Sequence, residues 1–146
     1  MKLIYAFLAS FGFAILFNVP KNRLVYSGLC GSCGAVAYVW ALHAQMSEAM
    51  ALFFASVALS ASAEIMARIL KTPSTLYLIC ALIPFVPGGG MYYTVLYIMQ
   101  KNNALALTTG LNTLTQACAI VIGCVLVTGL VHMLSQFHFS RNETFH

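Results

Sequence analysis

The sequence predicts an all-α polytopic membrane bundle of about five transmembrane helices, the fourth broken at mid-membrane by a Pro/Gly element. Three observations predict it. Of 146 residues, 61% are hydrophobic and only 7% charged, against the roughly 25% charged of a soluble domain. The charges gather at Lys2, at Lys21 and Arg23, at Arg68 and Lys71, at Lys101, and at Arg141 and Glu143, with long uncharged runs between them. Within one run, LIPFVPGGGMYYTV (residues 82–95) sets two prolines and three consecutive glycines where a regular helix would otherwise continue.

The spans fall at about residues 3–19, 24–44, 46–70, 74–100 and 104–137, in a single domain covering residues 1–146. The first run only just supplies the ~20 residues a helical span needs. A signal peptide is the rival reading, since Lys2 precedes the run. No small-x-small cleavage site follows, and Asn18-Val19-Pro20 closes the run like a helix end.

The second run places Ser27, Gly31 and Ala35 at i, i+4 and i+8, with Gly28 and Gly34 beside them. Such a small-residue face lets another helix approach closely. Cys30 and Cys33 form a C-x-x-C, but no second ligand pair stands near them in sequence, so packing outweighs redox or zinc chemistry.

The third run carries Ser56, Ser60, Glu64 and Arg68 at successive i+4 spacing, a polar stripe that must face protein or water rather than lipid. Glu64 and Arg68 form either a structural ion pair with a snorkelling arginine or a coupling or gating element. Only Glu48 and Glu64 stand outside the charge clusters.

In the fourth run, Pro84 and Pro87 lack N–H groups and deprive the carbonyls of Cys80 and Ile83 of their usual donors. Gly88, Gly89 and Gly90 can turn through conformations that other residues avoid. The flanking halves, residues 74–83 and 91–100, are ten residues each. Each is therefore ~15 Å long, half of a ~30 Å hydrocarbon core, and the break falls near the midplane. A half-helix N-terminus there offers free N–H groups to an anion, as in secondary transporters. The donors are the amides of Gly89, Gly90, Met91 and Tyr92, and the ligand is most naturally a carboxylate. Tyr92, Tyr93 and Tyr97 add hydroxyls just beyond the break. A re-entrant hairpin without a ligand is the alternative.

In the fifth run Thr108, Thr109, Asn112, Thr113, Thr115 and Gln116 share an arc of about 160° on a helical wheel. The arc lines a wet cavity or packs in the bundle. The candidate substrate-binding set is therefore Pro84, Pro87, Gly88, Gly89, Gly90, Tyr92, Tyr93, Thr108, Asn112, Thr115 and Gln116, with Glu64 and Arg68 as candidates for coupling or gating.

A net charge of +4 is spread over seven basic residues at span ends, which excludes a nucleic-acid patch and serves topology instead. Lys21, Arg23, Arg68, Lys71 and Arg141 lie on one side, and Lys2 and Lys101 on the other. The N-terminus is then outside and the C-terminus cytoplasmic, so the Asn142-Glu143-Thr144 sequon reads as chance. His43, His132, His138 and His146 have no shared ligand spacing. No paired carboxylates, metal cluster or serine–histidine set argues for an enzyme, and no cofactor or metal is called for.

The motifs FNVP (residues 17–20), LCGSCGA, AR-x-x-K-T-P (residues 67–73), IPFVPGGGMYY and N-T-L-T-x-A (residues 112–117) run in order along nearly the whole chain. Together they resemble the threonine/serine exporter (ThrE) family, in particular the short second subunit of its two-component form. The resemblance implies export of threonine or serine across the bacterial inner membrane, with a separately encoded larger membrane subunit as partner. It marks Pro84, Pro87, Gly88, Tyr92 and Asn112 as motif positions. Some two-component members export succinate, so a dicarboxylate is the alternative substrate, with Arg68 as the only second intramembrane cation. A non-transporting scaffold that stabilises its partner is a further reading, and a higher oligomer a further assembly.

Overall fold

Uncharged apolar stretches become helices because, in lipid, each backbone N–H and C=O must find its partner within the segment. The computed structural model describes residues 2–142, with side chains over residues 3–134. The described residues contain six α-helices and no strand: α1 Lys2–Leu16, α2 Leu24–His43, α3 Glu48–Leu70, α4 Thr75–Leu82, α5 Gly88–Met99 and α6 Asn103–Asn142, with short 3-10 turns at Lys21–Arg23 and Ile83–Phe85. The tail features Arg141, Glu143, His138, His146 and the sequon lie outside the described side chains.

Among the described residues, three helices are long and apolar enough to cross a membrane: Lys21–His43, Glu48–Leu70 and Asn103–Leu134. The fourth run is interrupted as expected, Thr75–Phe85 and Gly88–Met99 being bent by 48° at the break. A bend of that size leaves both halves heading broadly the same way. The first predicted span falls short, because α1 is 15 residues, or about 22 Å against a ~30 Å core. The residues after Leu16 are spent on closing the helix, with Asn18 at φ 55° and the Val19 N–H donating to the Ala14 carbonyl at 3.0 Å.

That closure recurs. Gln45, Lys71 and Lys101 also take left-handed φ values of 57°, 50° and 58°. The next N–H then reaches back to Ala41, Ala67 and Tyr97 at 3.2, 2.9 and 2.9 Å. These are Schellman closures made without glycine.

Helix α2 lies at the centre, packed by α1, α3 and α4, while α3 lies between α2 and α6. The small-residue face of α2 does what its spacing predicts. Ser27, Gly28, Gly31, Gly34 and Ala35 are all buried. A Cβ at Gly31 would meet the Ser10 side chain and, at 3.3 Å, the Ala6 carbonyl; one at Gly34 would meet Leu59 and Phe85 at 3.1 Å. Cys30 of the same helix is buried, whereas Cys33 is exposed. Cys30 joins Leu59, Ala63, Ala67, Tyr77 and Ala81 in one apolar core. Fully buried Tyr77 keeps its hydroxyl paired with Thr72 Oγ1 at 3.1 Å.

Helices α3 and α6 run the same way. Glu48 meets Gln116, Ser56 abuts the position of Gly123, and Arg68 reaches Val131. The polar stripe of α3 thus faces α6, with Ser56 and Ser60 buried. Helix α5 packs mainly on the first half of α6, which extends past the start of α3. Helix α6 is consequently little covered: 11% of its most apolar window is buried, against 39% for α2 and for α3.

Candidate functional site

The break is narrower than the composition suggests. Val86 is extended (φ −61°, ψ 130°), as the residue before a proline prefers. Pro87 follows at φ −75°, ψ 61°, the inverse γ-turn geometry, and the Gly88 N–H donates to the Val86 carbonyl at 2.7 Å. The three glycines do not form the turn. All belong to the first turn of α5, and no glycine has a positive φ. Proline chemistry alone breaks the helix, so the conformational freedom of glycine is not used.

Gly90 has a different purpose. A Cβ there would meet Thr113 Oγ1, and Thr113 Cγ2 at 3.2 Å, whereas a Cβ on Gly88 or Gly89 would meet nothing within 4 Å. Gly90 lets α6 approach; Gly88 and Gly89 leave open backbone.

Two of the four expected donors remain available. The Met91 N–H donates to the Pro87 carbonyl at 3.2 Å, and Tyr92, a full turn in, belongs to the helical ladder. The N–H groups of Gly89 and Gly90 have no acceptor among the described residues. The Ile83 carbonyl, expected to lose its donor to Pro87, instead accepts from the Val86 N–H at 3.2 Å, through the 3-10 turn.

Beside the break lies a cavity of about 510 Å³, within the ~300–1,000 Å³ range of small-molecule sites. Its walls are Ala6 and Ala9 of α1, Tyr38 of α2, Glu48 of α3, the Pro84–Pro87 break, and Gln116 of α6. Gln116 Nε2 donates to Glu48 Oε2 at 3.0 Å, and Tyr38 lines the same cavity. Measured along α6, Gln116 stands 13 residues past Asn103 and 15 before Val131, the partner of Arg68. At ~1.5 Å per residue these are about 20 and 22 Å, so the cavity lies about a third of the way along α6 and level with the first residue of α3.

Of the predicted site residues, the structure gathers Pro84, Pro87 and Gln116 around this cavity. Gly88 and Gly89 follow Pro87 directly and are exposed. Tyr92 and Tyr93 are exposed on the far side of α5, their rings 5.4 Å apart, and Tyr93 stacks on Tyr97 at 6.2 Å.

The polar arc of α6 does not act as one wall. Thr109 and buried Thr113 turn toward α5, with the Thr113 hydroxyl donating to the Thr109 carbonyl at 2.7 Å. Gln116 turns toward Glu48. Thr108, Asn112 and Thr115 are exposed on an outward face. The two threonines return their hydroxyls to α6's own carbonyls at 2.8 Å, and the Asn112 amide has no hydrogen-bond partner among the described residues.

Glu64 and Arg68 lie outside the cavity wall. They form no ion pair; Arg68 donates instead to the Val131 carbonyl at 3.3 Å.

Glu48 is the residue that the sequence reading passed over. Its signal was present, as one of only three acids in the chain and one of two outside the charge clusters. It is the first residue of α3, and its partner Gln116 is 68 residues away in the chain.

Comparison with known proteins gives a family. The model of the family described as Threonine/Serine exporter, ThrE, matches residues 2–130. An uncharacterized protein of Haemophilus influenzae is 29% identical over 99 residues, covering 67% of this chain and 33% of that protein. The chain thus spans about a third of the length of that relative. No solved structure matches.

Proposed function

Because the chain belongs to the threonine/serine exporter family, a family of membrane transporters, we propose that it is the short subunit of a two-component exporter of threonine or serine. The observation that carries this reading is the cavity at the proline break. A site between a discontinuous span and the rest of the bundle is where secondary transporters hold substrate. The free N–H groups of Gly89 and Gly90 suit a carboxylate, aided by the positive end of the α5 dipole.

In this proposal α1 is a short fifth span, and the chain crosses the bacterial inner membrane with its N-terminus outside, following the basic residues. The parallel course of α3 and α6 fits that parity, since third and fifth spans run the same way. The larger subunit covers the face of Thr108, Asn112 and Thr115, so these residues complete the site from the side of the partner. Alternating access then moves the α5–α6 hairpin against the α1–α4 bundle, to which α5 itself is little attached.

The test is efflux of preloaded radiolabelled threonine from cells expressing both subunits. Pro87→Ala restores a helical N–H and lets the ladder consume the amides of Gly89 and Gly90. It is expected to insert normally and to lower export at least ~10-fold, the scale of a few hydrogen bonds to a charged group. Wild-type export by Pro87→Ala contradicts this site. Undiminished export by the larger subunit alone favours a scaffold role.

A further inference from the structure

We propose that Glu48 accepts the substrate's ammonium group and thereby restricts the cavity to zwitterionic amino acids, against dicarboxylates and hydroxy acids. This rests on the export reading above and adds a specificity-determining residue to it.

Glu48 is the only charged residue on the cavity wall among the described residues. It forms no ion pair among the described residues. Gln116 occupies one carboxylate oxygen through a single N–H, and a carboxylate has about four lone-pair positions for acceptance. The remaining positions are open to a three-donor ammonium. Gln116 reaches the carboxylate from α6, while Glu48 itself, exposed at the start of α3, stays accessible from the cavity.

The opposite pole lies at the break. Pro87 lines the same cavity, and Gly89 and Gly90, whose amides are free, follow it two and three residues on, just beyond the wall. An α-amino acid carries its two charges on adjacent groups and can present its carboxylate to those amides and its ammonium to Glu48. A dicarboxylate would set a second negative charge against Glu48, and like charges repel most where water is displaced. Arg68, the intramembrane cation that the sequence offered for it, is engaged with Val131 away from this cavity. Glu64 does not line the cavity.

The experiment measures efflux of radiolabelled threonine and of 3-hydroxybutyrate, which lacks the amino group, from cells expressing both subunits with wild-type, Glu48→Gln or Glu48→Asp chains. Glu48→Gln preserves shape and the contact with Gln116, and its detergent melting temperature checks folding. The expected result is a threonine to hydroxy acid ratio at least ~10-fold lower in Glu48→Gln, with Glu48→Asp recovering part of the threonine export. An unchanged ratio overturns the proposal, whether both fluxes persist or both fall together. If the wild-type pair exports no threonine, the export reading itself fails, which is a different result from an unchanged ratio in a working exporter.

Discussion

Gly88 and Gly90 are two residues apart on α5, and an added methyl group would have opposite effects at the two positions. At Gly90 it would collide with Thr113, whose hydroxyl is already committed to Thr109; at Gly88 it would meet open space. Gly90→Ala is expected to destabilise the protein by about 1–3 kcal/mol, the usual cost of overpacking. Gly88→Ala should be neutral or stabilising by about 0.5–1 kcal/mol through helix propensity. Thermal unfolding in detergent checks both, and Thr113→Ala should relieve the Gly90→Ala loss. The glycine run was legible as a site of special backbone, but its purpose was not. Sequence shows that a residue can adopt unusual φ values, not whether a neighbouring helix needs the space. Glu48 was hidden for a related reason: its neighbours in the chain are loop residues, while the partners that give it meaning, Gln116 and the break, are distant in sequence.

Among the elements, helix closures and the broken fourth run show where a local rule is obeyed and where it is strained. Asn18, Gln45, Lys71 and Lys101 all end helices in the left-handed region that glycine prefers, at ~1 kcal/mol or more each. Gln45→Gly should therefore raise stability by about 1 kcal/mol, seen as a higher melting temperature in detergent with unchanged helix content. Charge clusters and prolines mark the helix starts at Leu24, Glu48, Thr75 and Asn103, which lie close to the run starts at residues 24, 46, 74 and 104. Only α1 ended early, its last turn given to the Asn18 closure. The polar arc of α6 was legible as a set but not by destination. A helical wheel groups Thr108, Thr109, Asn112, Thr113, Thr115 and Gln116, yet the packed structure sends them three ways, because α5 and α3 meet α6 at different angles and leave a sector uncovered.

As a whole, the molecule has a well-packed half and an open one. Helices α2 to α4 share an apolar core around Tyr77, and α1 joins α4 through Ala14 and Cys80, while α5 and the first part of α6 form a hairpin with Tyr92, Met99, Leu107 and Leu114 at 64, 76, 65 and 60% exposure. Lipid can cover the apolar side chains, but not the Asn112 amide, which needs a hydrogen-bonding partner. Asn112→Leu is accordingly expected to weaken co-purification with the larger subunit at least ~5-fold, the scale of a lost interhelical hydrogen bond of about 1 kcal/mol. Gly88→Ala should leave it intact. Equal recovery of the partner by both variants would place the larger subunit elsewhere.

The central claim, that substrate occupies the cavity beside the proline break, is open to direct measurement by cysteine protection. In a chain whose five native cysteines are replaced by alanine, Val39→Cys places a thiol on the cavity wall and Val36→Cys places one on the exposed side of the same helix. With both subunits present and export retained, threonine should slow maleimide labelling at position 39 and leave position 36 unchanged. Labelling at position 39 that ignores saturating threonine in an exporting complex would contradict the account.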